Sequence, residues 1–395
     1  MNKARWSVTA VFFVNGCLVS SYISRIPSLK VEYQLSESAL GVVLTVFGAA
    51  ALVSMQFVGG LVARFGSRQL IRIALALLPL LLIAVGHARG VVQLSIALVL
   101  MGLVHGAVDV SMNAHAVAVE RSRGAPIMNG CHAAWSISAV LASLVGAAVT
   151  RAGVGLGTHF LYAGIALLIA GFCATHGLLP SSADRARTAT SGKRAWTTGW
   201  TRPVLIFGAM GFVVMIGEAA VISWSGVLLH ESRGAGLATA GLAFTAYTAF
   251  QTVGRLVGDR LTSRYGAHVV FRAGAVISIS GLVVVIAVPL WLVSIGGFAL
   301  VGLGGSVLMP LVFSAVGRVG GDAAAAAVSR LTTFTYAGIL IGPAVVGSFA
   351  GAVGLVWTFA GLVPLLLVVA ANSRLMSVRS AVSEVSETPL TSGER

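Results

Sequence analysis

Residues 47–66 read FGAAALVSMQFVGGLVARFG, and residues 247–266 read YTAFQTVGRLVGDRLTSRYG. The two align without a gap: Val53 with Val253, Leu61 with Leu261, Arg64 with Arg264 and Gly66 with Gly266, with Phe65 opposite Tyr265. Each is an apolar run that ends in arginine, an aromatic residue and glycine, then turns into another apolar run. A repeat of this kind divides the chain into two similar halves. Windows of about 20 apolar residues, enough to cross a hydrocarbon core about 30 Å thick, fall near 6–26, 38–62, 69–88, 92–119, 127–150 and 157–179, then near 203–229, 236–258, 269–290, 292–317, 325–350 and 353–372. The expected fold is therefore an all-α membrane protein with twelve transmembrane helices in two pseudo-symmetric six-helix bundles. A duplicated six-span unit places a binding site between the two bundles. The expected division is an N-terminal bundle over 1–180, a linker over 181–202, a C-terminal bundle over 203–372 and a polar tail over 373–395.

Composition supports this reading. Of 395 residues, 57% are hydrophobic and only 10% charged, too apolar for a water-soluble surface of this size. The net charge of +14 does not point to nucleic acid, because the basic residues lie between spans rather than on one domain. With the N-terminus inside, the termini, linker and even-numbered loops hold 20 of the 26 basic residues; the opposite loops hold five (Arg25, Lys30, Arg89, Arg151, Arg233), and Arg255 lies within a span. That bias puts both termini in the cytoplasm of a bacterial-type inner membrane. Val8–Val19 could imitate a signal peptide, but it lacks a clean cleavage site and leads into further spans. Cys17, Cys131 and Cys173 lie in apolar segments and have no disulfide or metal spacing. No GxxxxGK[ST], HExxH, CxxC or nucleophile-elbow motif occurs, so neither a cofactor, a metal nor an enzymatic activity is expected.

Polar residues inside spans are the candidates for chemistry. In GLVHGAVDVSMNAHAVAVERSRG (102–124), His105, Asp109 and Asn113 are spaced i, i+4, i+8 and form one stripe on a helix. Asp109 precedes Glu120 by eleven residues, about 16 Å at ~1.5 Å per residue, which puts it near mid-membrane. A carboxyl there costs about 2.5–3.5 kcal/mol on insertion scales and normally faces a bundle interior or a watery cavity. Taken out of water it holds its proton more tightly, so Asp109 is a candidate proton-coupling group; alternatively it ties helices together through His or Asn. Glu218 in span seven, with no basic neighbour within a turn, is the second candidate. His132 and Trp135 lie one turn apart in span five after Asn129. A His can titrate near neutrality and a Trp can stack on a sugar or aromatic ring; Trp135 could equally be an interfacial anchor. Trp224, between serines, Tyr336 beside Gly338 and Asn15 beside Gly16 complete the substrate-contact candidates. Arg255 and Asp259 make an i, i+4 pair that reads either as surface snorkelling or as a gate.

With these features assembled, the sequence resembles the major facilitator superfamily. That family carries G-x-L-x-D-R-x-G-R-R between its second and third spans. Here the stretch is Gly59-Gly60-Leu61-Val62-Ala63-Arg64-Phe65-Gly66-Ser67-Arg68, with Ala63 in place of the aspartate and Ser67 in place of an arginine. The resemblance implies a cytoplasmic gate built from Gly59, Arg64, Gly66 and Arg68, with Arg255, Asp259, Arg264 and Gly266 as its second-half counterpart. DVSMNAHAVAVE (109–120), MNGCHAAWSISA (128–139), GEAAVISWSGVLL (217–229), GLGGSVLMPLVFSAVGR (302–318) and GILIGPAVVG (338–347) are similar to the YbjJ-like branch near the fucose permeases. That branch tends to carry Asp-Trp where this chain has Ser223-Trp224. The G-P-x-x-G-G-like element of many drug–proton antiporters is absent from ISAVLASLVGAAV (137–149).

The resemblance implies a monomeric secondary transporter in the lipid bilayer, moving a small molecule by rocking two bundles, with a proton gradient as energy source. Asp109 and Glu218 would alternate between protonated and ionised forms, while Asn113, His105, Asn129, His132, Trp135, Trp224, Tyr336 and Asn15 would face substrate. Export of a small organic compound is the first expectation, because the cavity candidates are few and aromatic. Proton-coupled uptake of a sugar or related polar solute is the alternative, and a transport-dead sensor or scaffold the remote one.

Overall fold

The computed structural model describes residues 2–123, 127–181, 200–320 and 324–377. Among them there is no strand. The first half comprises α1 (Asn2–Ile23), α2 (Ile26–Glu32), α3 (Glu37–Phe65), α4 (Ser67–Gly86), α5 (Val91–Arg123), α6 (Met128–Arg151) and α7 (Leu156–Ala174). The second comprises α8 (Arg202–Arg233), α9 (Leu237–Ala240), α10 (Leu242–Tyr265), α11 (Ala267–Ala287), α12 (Trp291–Gly305), α13 (Leu308–Gly320), α14 (Ala324–Val353), α15 (Leu355–Ala360) and α16 (Leu362–Ala371). α12 with α13, and α15 with α16, each make one span, interrupted by a short break.

Local sequence sets the ends. Ser36 caps α3 by accepting from the Ala39 N–H at 3.2 Å. Pro27 and Pro203 stand in the first turns of α2 and α8, where a missing N–H leaves no bond unmade. Gly66 and Gly266 have φ of 81° and 84°, backbone that glycine adopts without penalty, and each reverses the chain between two long helices. The same repeat sets the packing. A Cβ on Gly102 would run into the Phe47 carbonyl oxygen, and one on Gly302 into that of Tyr247. Phe47 and Tyr247 are equivalent in the two halves, and so are Gly102 and Gly302; the bare glycines let α5 approach α3, and α12 approach α10, in the same way.

Among the described residues, eleven spans are long and apolar enough to cross a membrane. The twelfth, α10, has 24 residues but is much less apolar than the others, because it carries Gln251, Arg255, Asp259, Arg260 and Arg264. The sequence-based span of 236–258 is thus shifted. Residues 237–240 form the separate turn α9, closed at Gly241, and the helix runs on through charged residues that a hydropathy window rejects. The expected linker falls mostly on 182–199, outside the described residues, as does the tail from 378 on. The start of that tail is not solvated: Asn372–Ser377 is a 3-10 turn with Met376 buried and its carbonyl accepting from Arg318 at 2.9 Å. Leu375 and Met376 give this polar-looking stretch an apolar anchor.

The closest contacts between the halves lie at the end of the bundle remote from the N-terminus. Lys30, only 9% exposed, donates to Glu37 of its own half at 3.1 Å and to Glu231 of the other. Nearby, Thr245 Oγ1 donates to Ser143 Oγ at 2.8 Å. A Cβ on Gly41 would meet the Pro343 carbonyl oxygen at 2.8 Å, and one on Gly347 the Glu37 carbonyl oxygen at 2.7 Å. Toward the other end, no described atom outside their own helix turn lies within 4 Å of where a Cβ on Gly59, Gly60 or Gly130 would sit.

Candidate functional site

α5 and α8 cross the bundle with their midpoints facing the centre. Asp109 lies near the middle of Val91–Arg123 and Glu218 near the middle of Arg202–Arg233. Both line one cavity of about 300 Å³ between the halves. From the first half it is walled by Ile23, His105, Asp109, Met112, His132, Trp135 and Ser136, and from the second by Glu218, Ile222, Phe244, Tyr247, Thr248, Gln251 and Arg255. A larger furrow of about 620 Å³ runs between α4 and α7, but neither carboxylate lines it.

The two carboxylates are held differently. Gln251, buried on α10, donates through Nε2 to Glu218 Oε1 at 3.1 Å and to the Tyr247 hydroxyl at 2.9 Å. Accepting that bond leaves the Tyr247 O–H free to donate. Among the described residues nothing donates to the Asp109 carboxylate within hydrogen-bonding distance; His105, His132 and Tyr336 feel its charge. His105 stacks on Phe47, ring centroids 5.6 Å apart, with Nδ1 buried and unpartnered. His132 meets Phe12 edge-on at 5.2 Å. Such a cavity can accept protons on two carboxyls, donate from Tyr247, His or Arg255, and stack a ring on Trp135.

Of the residues singled out from sequence, Asp109, Glu218, His105, His132 and Trp135 are brought together here, and Arg255 joins them. The remaining substrate-contact candidates lie elsewhere. Asn113 Nδ2 turns back to the Asp109 backbone carbonyl at 2.8 Å. Trp224 is fully buried against α14, with the position of a Cβ on Gly347 2.9 Å from its ring, and its Nε1 has no acceptor among the described residues; its flanking serines are buried with it. Asn15 is wholly buried, and among the described residues both its side-chain polar atoms are unpartnered. Tyr336 is 37% exposed and outside the cavity wall. The Asn129 side chain lies outside the described residues.

Among the gate candidates, Gly59 is open and Gly66 packs on Ser181. Arg64 lies over the Phe65 ring at 5.1 Å as Arg264 does over Tyr265 at 5.3 Å, and among the described residues no atom lies within 4 Å of where a Cβ on Gly266 would sit. The Arg68 Nε is buried without a partner among the described residues. Arg255 makes no ion pair with the exposed Asp259; the ion pairs within 4 Å among the described residues are those of Lys30. Sequence reasoning missed Tyr247, Thr248 and Gln251. The signal was present, because Tyr247, Gln251 and Arg255 repeat the i, i+4, i+8 stripe of His105, Asp109 and Asn113.

Both halves match the description Major Facilitator Superfamily, over residues 8–235 and 207–392. The chain belongs to the major facilitator superfamily. An uncharacterised MFS-type transporter of Yersinia pestis is 30% identical over 371 residues, covering 94% of this chain and 95% of that protein. Membrane protein MosC of Rhizobium meliloti is 28% identical over 354 residues, covering 88% and 85%. Among solved structures, the nucleoside transporter NupG superposes with a TM-score of 0.79 at 17% identity, covering 95% of this chain and 99% of its own. A bacterial homologue of the human lysosomal transporter Spinster, inward-facing and occupied, gives 0.74 at 13%, covering 96% and 97%. At these identities the structures show the superfamily fold alone. The transporter is thus a multi-pass membrane protein of a family of transporters rather than enzymes.

Proposed function

We propose that this chain carries a small polar organic solute across the cytoplasmic membrane by alternating access, coupled to protons through Asp109 and Glu218. The observation that carries the proposal is that one cavity between the halves contains both carboxyls, each near the middle of its span. With the termini cytoplasmic, as the charge bias indicates, the Lys30–Glu231 contact closes the outer end, and the conformer is closed to the outside. Rocking the halves would break that contact and close the inner end around Gly59, Arg64, Gly66, Arg68 and their counterparts.

The expectation of export rests on a sparse polar lining, and this lining is not sparse. Tyr247, Thr248, Gln251 and Ser136 add hydroxyls and an amide around the carboxyls, which supports the alternative: proton-coupled uptake of a hydrogen-bonding solute such as a sugar or nucleoside. NupG is a nucleoside transporter by name, and a flat base over Trp135 with ribose hydroxyls at Gln251 and Glu218 falls in this class. The narrower likeness to the YbjJ-like branch rests on the quoted sequence patches alone.

The purified protein in proteoliposomes tests this. Sugars, polyols and nucleosides are first screened by thermal shift, where a ligand at about 100 times its Kd adds roughly 2.7 kcal/mol. The hit is then followed as labelled solute under an imposed pH gradient. Accumulation should require acid on the side from which solute enters, and Asp109→Asn should abolish it while leaving solute exchange intact. Undiminished accumulation in Asp109→Asn with an unchanged pH profile refutes the coupling assignment. Accumulation driven by alkali on the entry side restores the export reading.

A further inference from the structure

Arg255 stands ten residues before Tyr265, the last residue of α10, or about 15 Å inside its span. An arginine at that depth is expensive to keep and normally has a partner or a task. Its side chain lines the central cavity, and its charge is felt by His132 across that cavity and by Tyr247 on its own helix. Among the described residues no carboxylate lies within 4 Å of it, since the ion pairs there are those of Lys30. The two acids of the cavity do not neutralise it: Glu218 accepts from Gln251 at 3.1 Å, and Asp109 lines the cavity beyond ion-pair distance.

The fold does not ask for this charge. In the alignment of the two halves Arg255 falls opposite Met55, as Gln251 falls opposite Ala51. α3 and α10 pack through equivalent glycines, Gly102 against Phe47 and Gly302 against Tyr247, so the same packing is served without a cation in the first half. The charged side chains of the cavity wall are Asp109, Glu218 and Arg255, with His105 and His132 beside them. A guanidinium keeps its proton. With both carboxyls protonated and the imidazoles neutral, the wall therefore carries a net charge of plus one; with both ionised it carries minus one. A monoanion is drawn into the first state and expelled from the second.

We infer that the solute is a hydroxylated monocarboxylate, a sugar acid rather than a neutral sugar, with its carboxylate on Arg255, its hydroxyls at Tyr247, Thr248 and Gln251, and its ring over Trp135. A planar guanidinium meets a carboxylate in a two-bond fork. A phosphate dianion calls for a second cation, and among the described residues no lysine or other arginine lines this cavity. The volume of about 300 Å³ is at the small end for ligand pockets and suits a single sugar ring. This inference rests on the proposal of proton-coupled uptake and adds to it the charge of the solute.

The test is calorimetric binding to the full-length protein in detergent, with gluconate and glucuronate as probes and glucitol and glucose as their neutral matches. The acids should bind, and the neutral matches should bind about ten-fold more weakly or worse, the worth of hydrogen bonds to a charged group. Arg255→Gln should bring the ratio of acid to neutral affinity down toward one. Arg255→Lys, which keeps the charge but not the planar fork, should lose part of the preference, and it serves if Arg255→Gln does not fold. Acids and neutral matches binding alike, none of the acids binding, or a preference for acids that survives Arg255→Gln overturns the inference. Glucose phosphate bound more tightly than glucuronate overturns the monocarboxylate assignment. The transport reading fails separately. Proton-driven accumulation of a neutral sugar, lost in Asp109→Asn, would keep that reading and sink this inference, whereas acid binding that depends on Arg255 without proton-driven uptake would do the reverse.

Discussion

Glu231→Gln isolates the bond that joins the two halves, because Lys30 keeps its contact with Glu37 at 3.1 Å. Hydrogen bonds to charged groups contribute ~1.5–3 kcal/mol when shielded, and exposed ion pairs ~0.2–1 kcal/mol. Lys30 is 9% exposed but Glu231 31%, so solvent screens one side of the pair and the contact belongs between those limits, at about 1–1.5 kcal/mol. At ~1.4 kcal/mol per factor of ten, losing it should raise the ratio of conformers open at that end about 5- to 12-fold. Spin labels at Arg89 and Leu290, with Cys17, Cys131 and Cys173 replaced by alanine, would report this as growth of a longer-distance population in double electron–electron resonance. Glu37→Gln breaks only a contact within one half and should move the distribution less. Raising the salt should mimic Glu231→Gln in part, since the carboxylate side of the pair is exposed to solvent and partly screened. An unchanged distance distribution in both Glu231→Gln and Lys30→Ala would show that helix packing alone closes that end.

Three further outcomes follow from the packing and the cavity. Gly102→Ala and Gly302→Ala each push a methyl into a carbonyl oxygen of the facing helix; each should cost about 1–3 kcal/mol, read as similar losses in melting temperature in detergent. Gln251→Leu removes the donor to Glu218 and Tyr247; it should shift the pH dependence of transport more than it changes the melting temperature, and an unshifted profile would separate Glu218 from coupling. Asn15→Leu replaces a buried amide without partners by an apolar group of similar size, and thermal unfolding should show no loss and about 1 kcal/mol of gain.

The spans were legible because a helix in a bilayer needs some twenty apolar residues in a row, and few other structures do. Asp109 and Glu218 were legible for the converse reason, that carboxyls in such runs are rare and expensive. The eighth span, α10, was harder. Its polar stripe of Tyr247, Gln251 and Arg255 follows a rule that span four already illustrated, yet the same residues lowered the hydropathy that marks a span. Trp224 and Asn15 could not be sorted by sequence, because a polar group buried between packed helices and one lining a cavity occupy the same kind of apolar run. Lys30 and Glu231 lie 201 residues apart, and loop charges carry orientation in sequence, not pairing.

The polarity of α10 also bears on how the protein is made. A helix with Gln251 and Arg255 in its membrane-facing length gains little by leaving water alone; translocon scales charge an arginine at mid-span about 2.5–3.5 kcal/mol. Its polar edge is sheltered where Glu218 on α8 receives Gln251, where Thr245 donates to Ser143 on α6, and where Gly302 on α12 lets the backbones close. Stable insertion of α10 therefore waits for α8 before it and α12 after it, so this segment lodges in the bilayer as a group rather than one helix at a time. The residues that give the cavity its polar lining are the same ones that make insertion of the newborn chain depend on assembly order.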